Sequence, residues 1–200
     1  MTHLTHRRII RNRWLLVLLI SICIAPVLLS YLSYYVIKPK GASTNYGQLI
    51  QPQRPIPQSL KGIDFTQNEI ALTSLIGKWW LISFDSTLEC NSYCQQKLFY
   101  MRQIQATQGV QRERLQTLWL KNNTGHLPDR FKENYPNIKV LSVQLADISN
   151  WLTIDNDTQI DQYLYLIDPF GNLMMKFPKS PDPSKIKKDI TKLLKWSRIG

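Results

Sequence analysis

Trp79-Trp80-Leu81-Ile82-Ser83-Phe84, then Asp85 and a short loop, then Cys90-Asn91-Ser92-Tyr93-Cys94, is the stretch on which the fold turns. The first six residues are almost all apolar, as expected of a strand buried on both faces. From Cys94 to about Thr107 the spacing of Leu98, Met101 and Ile104 gives one apolar face of a helix, and Gly109 ends it. A strand therefore delivers two cysteines to the start of a helix. The positive end of the helix and its unpaired N–H groups favour thiolate over thiol. A thiolate pair exchanges with disulfides or binds a soft metal ion.

The same pattern repeats outward from this stretch. Leu115 to Leu120 reads as a second strand, a short helix opens at Leu127 to Phe131, and Ile138 to Val143 reads as a third strand. Ala146 to Leu152 is helical in pattern. Tyr163 to Ile167 and Leu173 to Phe177 flank the turn Asp168-Pro169-Phe170-Gly171-Asn172 and read as a hairpin. A last helix is expected with Ser184 as its cap and Ile186, Ile190, Leu193, Leu194 and Trp196 as its apolar face. Strands alternating with helices imply an α/β fold, a central sheet flanked by helices with an antiparallel hairpin at one edge. Trp79 and Trp80 are read as core residues of that sheet.

Trp14 to Ile37 carries no charged residue. It is long enough to cross a hydrocarbon core of about 30 Å as one helix. Arg7, Arg8, Arg11 and Arg13 precede it and only Lys38 and Lys40 follow closely. The positive-inside rule then puts the N-terminus in the cytoplasm and the rest of the chain outside it. The apolar run is longer than a signal-peptide core and ends in tyrosines and lysines, which favours an uncleaved anchor. The expected organisation is a cytoplasmic flank over 1–13, a transmembrane helix over 14–37, a proline-rich linker over 38–60 and a folded domain over 61–200.

The net charge of +11 does not point to nucleic acid, because four arginines belong to the membrane flank. The remainder is scattered, apart from Lys185, Lys187, Lys188, Lys192, Lys195 and Arg198, read as the solvated face of the last helix. Of three cysteines, Cys23 falls in the membrane segment. Cys90 and Cys94 remain as a pair in a domain placed where disulfides persist.

Gly77-Lys78-Trp79-Trp80-Leu81-Ile82-Ser83-Phe84, the Cys-x-x-x-Cys of Cys90 and Cys94, and Tyr165-Leu166-Ile167-Asp168-Pro169-Phe170-Gly171 together resemble the SCO/SenC family of the thioredoxin superfamily, over about Gly62 to the C-terminus. The resemblance implies a thioredoxin-like domain behind one N-terminal transmembrane helix, in the inner membrane and facing the periplasm. It further implies a role in cytochrome c oxidase assembly, with an oxidase subunit or assembly factors as partners. The pair would act by thiol–disulfide exchange or by handling copper.

Two departures bear on that role. Copper-binding members add a histidine at a position that falls near Ile160 here, and residues 157–162 read Asp-Thr-Gln-Ile-Asp-Gln. Cu(I) accepts two soft thiolates alone, whereas Cu(II) calls for imidazole as well. The candidate metal is therefore Cu(I) on Cys90 and Cys94. His126 is read as a surface histidine, and Met174 and Met175 as hairpin packing. Thioredoxin-fold reductases also place a proline facing the cysteines, yet the nearest proline before Tyr163 is Pro136. That weighs against a general periplasmic thiol–disulfide reductase.

In a regular helix, residues four apart hold their Cβ atoms about 5–6 Å apart, against about 3.8 Å in a disulfide. The pair closes if Cys90 lies in the loop and Cys94 in the first turn, leaving Cys90 the more exposed thiol. Asn91 or Ser92 is expected to cap the helix. Glu89 opposes a lowered thiol pKa and Lys97 favours it, while Asp85 is expected to accept hydrogen bonds from the cysteine loop. The rival from another class is a non-catalytic docking module with a structural disulfide, although so short a loop would gain little stability from the bond.

Overall fold

In the computed structural model, residues 2–37, 45–86, 90–122, 127, 130–156 and 158–200 are described. The expected roles of Glu89 and His126 thus fall outside the described residues. The chain divides into two compact units, Met1–Thr44 and Asn45–Gly200.

The first unit holds helix α1, Thr2–Leu32, which runs on into a π-helical turn, Ser33–Ile37. Within it Arg13–Val36 is long and apolar enough to cross a membrane. The Ser21 hydroxyl is satisfied by the Val17 carbonyl at 2.9 Å, so no polar side-chain group of that residue is left unpaired in an apolar run.

The second unit is built on one eight-stranded sheet. Its strands are β1 Gln48–Pro55, β2 Lys61–Ile63, β3 Glu69–Ala71, β4 Trp79–Asp85, β5 Leu115–Lys121, β6 Ile138–Ser142, β7 Leu164–Ile167 and β8 Asn172–Phe177. They lie in the order β1-β8-β7-β4-β5-β6-β2-β3. β4, β5 and β6 are parallel, and all other neighbours are antiparallel.

Every residue of β4 is buried, because helices and loops cover both faces of the sheet. The strand period of two sorts its side chains. Trp79 and Leu81 pack with helices α2 (Ser92–Ala106) and α5 (Pro183–Trp196) through Leu98, Met101, Ile104, Ile186, Ile190 and Leu194. Trp80, Ile82 and Phe84 pack on the other side with Leu72, Leu75, Ile148, Trp151 and Leu152. Ile148 belongs to the short helix α4, Leu145–Ser149; another short helix, α3, spans Phe131–Asn134. Burial of this kind makes truncation of Leu98 or Met101 to alanine cost about 2–5 kcal/mol.

The linker expected over 38–60 needs correction in its second half. Gln48–Pro55 is a strand paired antiparallel with β8, although it contains Pro52 and Pro55. It lies at the sheet edge, where proline is tolerated, and its register shifts between Leu49 and Arg54, the interval that holds Pro52. The small antiparallel pair β2 and β3 extends the opposite edge and was not expected either.

Two details of α5 also differ from expectation. Asp182, not Ser184, caps the helix: its carboxylate accepts from Ser184 N at 2.8 Å, and Pro183 occupies the first turn. Trp196 is 78 % exposed. At 3.6 residues per turn it falls about 80° away from Ile186 on one side while Leu194 lies as far on the other, so the sheet covers only one of them. The lysines of this helix face solvent as expected.

Candidate functional site

β4 ends at Asp85 and α2 begins at Ser92, so the Cys90–Cys94 segment sits at the carboxyl end of the central strand. From β4 the chain continues into parallel β5 on one side, while antiparallel β7 pairs on the other. Asn91 caps α2, its side-chain oxygen accepting from Cys94 N at 2.9 Å. Gln95 Nε2 donates to the Cys90 carbonyl at 3.2 Å. Cys90 therefore lies outside the helix and Cys94 in its first turn. The two are joined by a disulfide with their Cα atoms 5.2 Å apart. Cys94 is fully buried and Cys90 half-buried.

A charged cluster lies between the end of β4, its neighbour β5 and α2. Lys97, one turn along α2 from Cys94, is almost completely buried, and its Nζ donates to Asp85 Oδ1 at 3.1 Å and to the Phe84 carbonyl at 3.0 Å. Asp85 Oδ2 accepts from Trp119 Nε1 at 2.7 Å and from the Ser83 hydroxyl at 3.4 Å. Lys121 pairs with Asp85 across the β4–β5 ladder and is also buried. Burial pushes the Asp85 carboxyl up from its usual range, against the pull of Lys97. Burial likewise pushes the Lys97 and Lys121 ammonium groups down. Among the described residues Asp85 serves Lys97, Trp119 and Ser83; the expectation that it accepts from the cysteine loop falls largely on residues 87–89, outside the described residues.

The segment where the family's histidine would fall is a single 3-10 turn, Ile160–Gln162, set against the start of α2. Lys97 Nζ donates to the Asp161 carbonyl at 2.6 Å, and the Tyr93 hydroxyl donates to the Gln162 carbonyl at 2.9 Å. The Asp161 carboxylate accepts from the Ser86 hydroxyl at 3.0 Å. The loop before this turn is held by buried tyrosines. Tyr163 donates to Asp155 at 3.0 Å and Tyr165 to the Thr153 carbonyl at 3.0 Å, and Lys176 pairs with Asp155. Sequence reasoning did not single out Tyr93 or Trp119. Tyr93 was visible as a residue between the cysteines, but its partners lie 69 and 87 positions away.

The donor set decides which copper state fits. Among the described residues no cluster of three or more His, Cys, Asp or Glu is placed to hold a metal ion. Ile160 offers no donor atom, and Asp161 is engaged through both its carbonyl and its carboxylate. Met175 is fully buried in the sheet core and Met174 packs beside it. Two thiolates, available only once the disulfide opens, suit Cu(I) and not Cu(II).

The fold has close parallels among solved structures. The chain is similar to yeast Sco1 at 19 % identity, covering 74 % of this chain and 98 % of that one, with a TM-score of 0.56. It is similar to BsSco, described as a member of the Sco family of cytochrome c oxidase assembly proteins with a disulfide switch, at 17 % identity, 73 % and 96 % coverage and a TM-score of 0.53. A third is Arabidopsis thaliana ScoI, solved with copper bound, at 16 % identity, 76 % and 99 % coverage and a TM-score of 0.52. At these identities the likeness shows a shared thioredoxin-like fold with the SCO proteins that the sequence resembles. No curated protein matches the sequence. Residues 79–197, more than half of the chain, match the family model for a transmembrane-like, thioredoxin-like C-terminal domain, and the chain belongs to that family.

Proposed function

We propose that this protein is a membrane-anchored, SCO-like thiol–disulfide exchange protein acting in cytochrome c oxidase assembly, with its thioredoxin-like domain on the periplasmic side of the inner membrane. The observation that carries the chemistry is the placement of Cys90 and Cys94: one half-buried cysteine outside the helix, one buried cysteine in its first turn, joined at the end of the central strand. The oxidase link rests on the SCO neighbours, among them BsSco with its disulfide switch. The anchor rests on Arg13–Val36 and the four arginines around its start.

In the reduced protein, Cys90 Sγ, as thiolate, attacks one sulfur of a target disulfide. A Cys90–target mixed disulfide forms, and the second target sulfur leaves as thiolate. Cys94, losing its proton, then attacks Cys90 Sγ, closing the Cys90–Cys94 disulfide and releasing as thiolate the target sulfur that Cys90 had first attacked. The target gains two electrons and this pair loses two. A dithiol donor must reopen the pair for another cycle. Asn91 holds the Cys94 N–H, and the partial positive charge at the N-terminus of α2 helps carry the thiolate.

Cys94→Ser should accumulate a mixed disulfide with the target and Cys90→Ser should trap none. If neither variant traps a partner, oxidase assembly is unchanged and the native pair stays oxidised down to about −300 mV, the range of structural disulfides, the docking-module reading replaces this one. A second reading, favoured by the two-thiolate donor set, is that the reduced pair carries Cu(I) as cargo. Titrating the reduced protein with Cu(I) tests it: one equivalent bound in wild type and none in the double serine variant is expected, without the strong absorption of a Cu(II)–thiolate site.

A further inference from the structure

We propose that Tyr93 is a positioning residue for the Cys90–Cys94 couple, holding the first turn of α2 in place when the disulfide opens; the inference rests on the exchange reading above. Tyr93 precedes the buried Cys94 and lies in the first turn of α2. Its hydroxyl donates to the Gln162 carbonyl at 2.9 Å and accepts from Ser180 N at 3.2 Å. One phenol thereby joins the cysteine loop to the turn before β7 and to the loop between β8 and α5.

The other hydrogen bonds of this loop are local. Asn91 caps Cys94 N, Gln95 N donates to the Asn91 carbonyl, and Gln95 Nε2 donates to the Cys90 carbonyl. All of these can move with the loop as a unit. Among the described residues from Cys90 to Cys94, Tyr93 alone hydrogen-bonds to segments outside the loop and its helix. The phenol is half-buried, so these bonds are partly shielded from water.

The two redox states depend on that clamp unequally. In the disulfide form the loop is closed covalently and the first turn has little room to fray, with or without the hydroxyl. In the dithiol form the covalent tie is gone and the clamp does the holding. Removing the hydroxyl costs the disulfide form its two bonds without relief. The dithiol form loses the same bonds but recovers part of the loss as freedom of the frayed turn. The equilibrium therefore moves toward dithiol, and Cys94, no longer held in the core, becomes accessible.

The test uses the full chain in detergent, equilibrated across a series of dithiothreitol redox buffers. Tyr93→Phe, which keeps the ring beside Lys97, is compared with Tyr100→Phe, whose hydroxyl, among the described residues, accepts from Gln96 on the same helix at 2.9 Å. Tyr93→Phe should shift the equilibrium toward dithiol about tenfold, the scale of one hydrogen bond, or about 30 mV for a two-electron couple. Alkylation of Cys94 in the reduced protein should speed up by a similar factor, and Tyr100→Phe should change neither. Equal losses of Tm in both redox states of Tyr93→Phe, with an unmoved potential, would make Tyr93 a plain structural tie and overturn the proposal. Amide exchange of wild type gives an arm that needs no variant. The first turn of α2 should stay protected on reduction, and loss of protection there overturns the clamp. If the wild-type pair itself cannot be reduced above about −300 mV, the exchange reading fails and the clamp goes with it; an unmoved potential in an active pair fails the clamp alone.

Discussion

At the scale of single residues, a buried ion pair ties the end of β4 to α2, one turn beyond Cys94. Asp85 and Lys97 are twelve positions apart and meet in the interior at 3.1 Å. Taking both charges out of water opposes ionisation of each, which is why the Asp85 carboxyl is pushed up and the Lys97 ammonium down. The raised Asp85 value means that its contribution to stability is full below the unfolded-chain value and is lost as pH rises through the raised one. The lowered Lys97 value means that its contribution is present above the unfolded-chain value and is lost as pH falls through the lowered one. Lys97→Met strips Asp85 of its cation in a buried place. It should cost about 3–5 kcal/mol at pH 7, the range for breaking a buried pair from one side. The loss should shrink as the pH falls and Asp85 takes up a proton. Denaturant unfolding of both proteins across a pH series checks this, and a deficit of equal size at acid and neutral pH would show that the pair is not what the lysine supports.

At the scale of elements, helix ends carry much of the specification. α2 starts where Asn91 can cap it and where both cysteines can meet; the same cap supplies about 1 kcal/mol of helix stability. The end of α5 is held by a residue of another segment. The Arg114 guanidinium donates to the carbonyls of Leu194, Ser197 and Ile199 at 2.8 Å and of Gly200 at 2.7 Å. Those carbonyls have no partner within the helix, and a planar fork of five donors suits several at once. Arg114→Ala should cost about 1.5–3 kcal/mol and raise amide exchange over the last turn of α5 and residues 197–200. Arg114→Lys should recover only part of it. An unchanged exchange pattern in Arg114→Ala would show that the tail is held by the Trp79 contact instead, whose indole donates to the Ile199 carbonyl at 3.3 Å.

At the scale of the whole molecule, an apolar helix and a thioredoxin-like domain occupy the two ends of one chain. If Arg13–Val36 spans a bilayer with its arginine flank in the cytoplasm, a reporter active only in the periplasm and fused after Gly200 should be active. The mature protein should also begin at its original N-terminus. A shortened protein released from the membrane would make the apolar run a cleaved signal. An active cytoplasmic reporter would reverse the orientation and place the cysteines in a reducing compartment, where a persisting disulfide is unexpected.

The sequence by itself determined the elements whose signals are local. β4 follows from its nearly all-apolar run, α2 from the spacing of Leu98, Met101 and Ile104, the β7–β8 hairpin from its turn, and the cysteine pair from four-residue spacing at a helix start. The apolar N-terminal run was legible for the same reason. The tertiary structure alone decided what depends on distant partners. Gln48–Pro55 reads as linker because prolines break its local pattern, and it is a strand only because β8 offers an edge to pair with. Trp196 shares the apolar spacing of α5, but the width of the surface beneath the helix leaves it exposed. The buried partners of Asp85, Lys97 and Trp119, come from other elements and leave no local signal beside it in the chain. Tyr93 reads as a spacer between cysteines until Gln162 and Ser180 are folded against it. Periodicity reports which face of an element is apolar; it carries no record of which polar atoms from distant segments will share the interior.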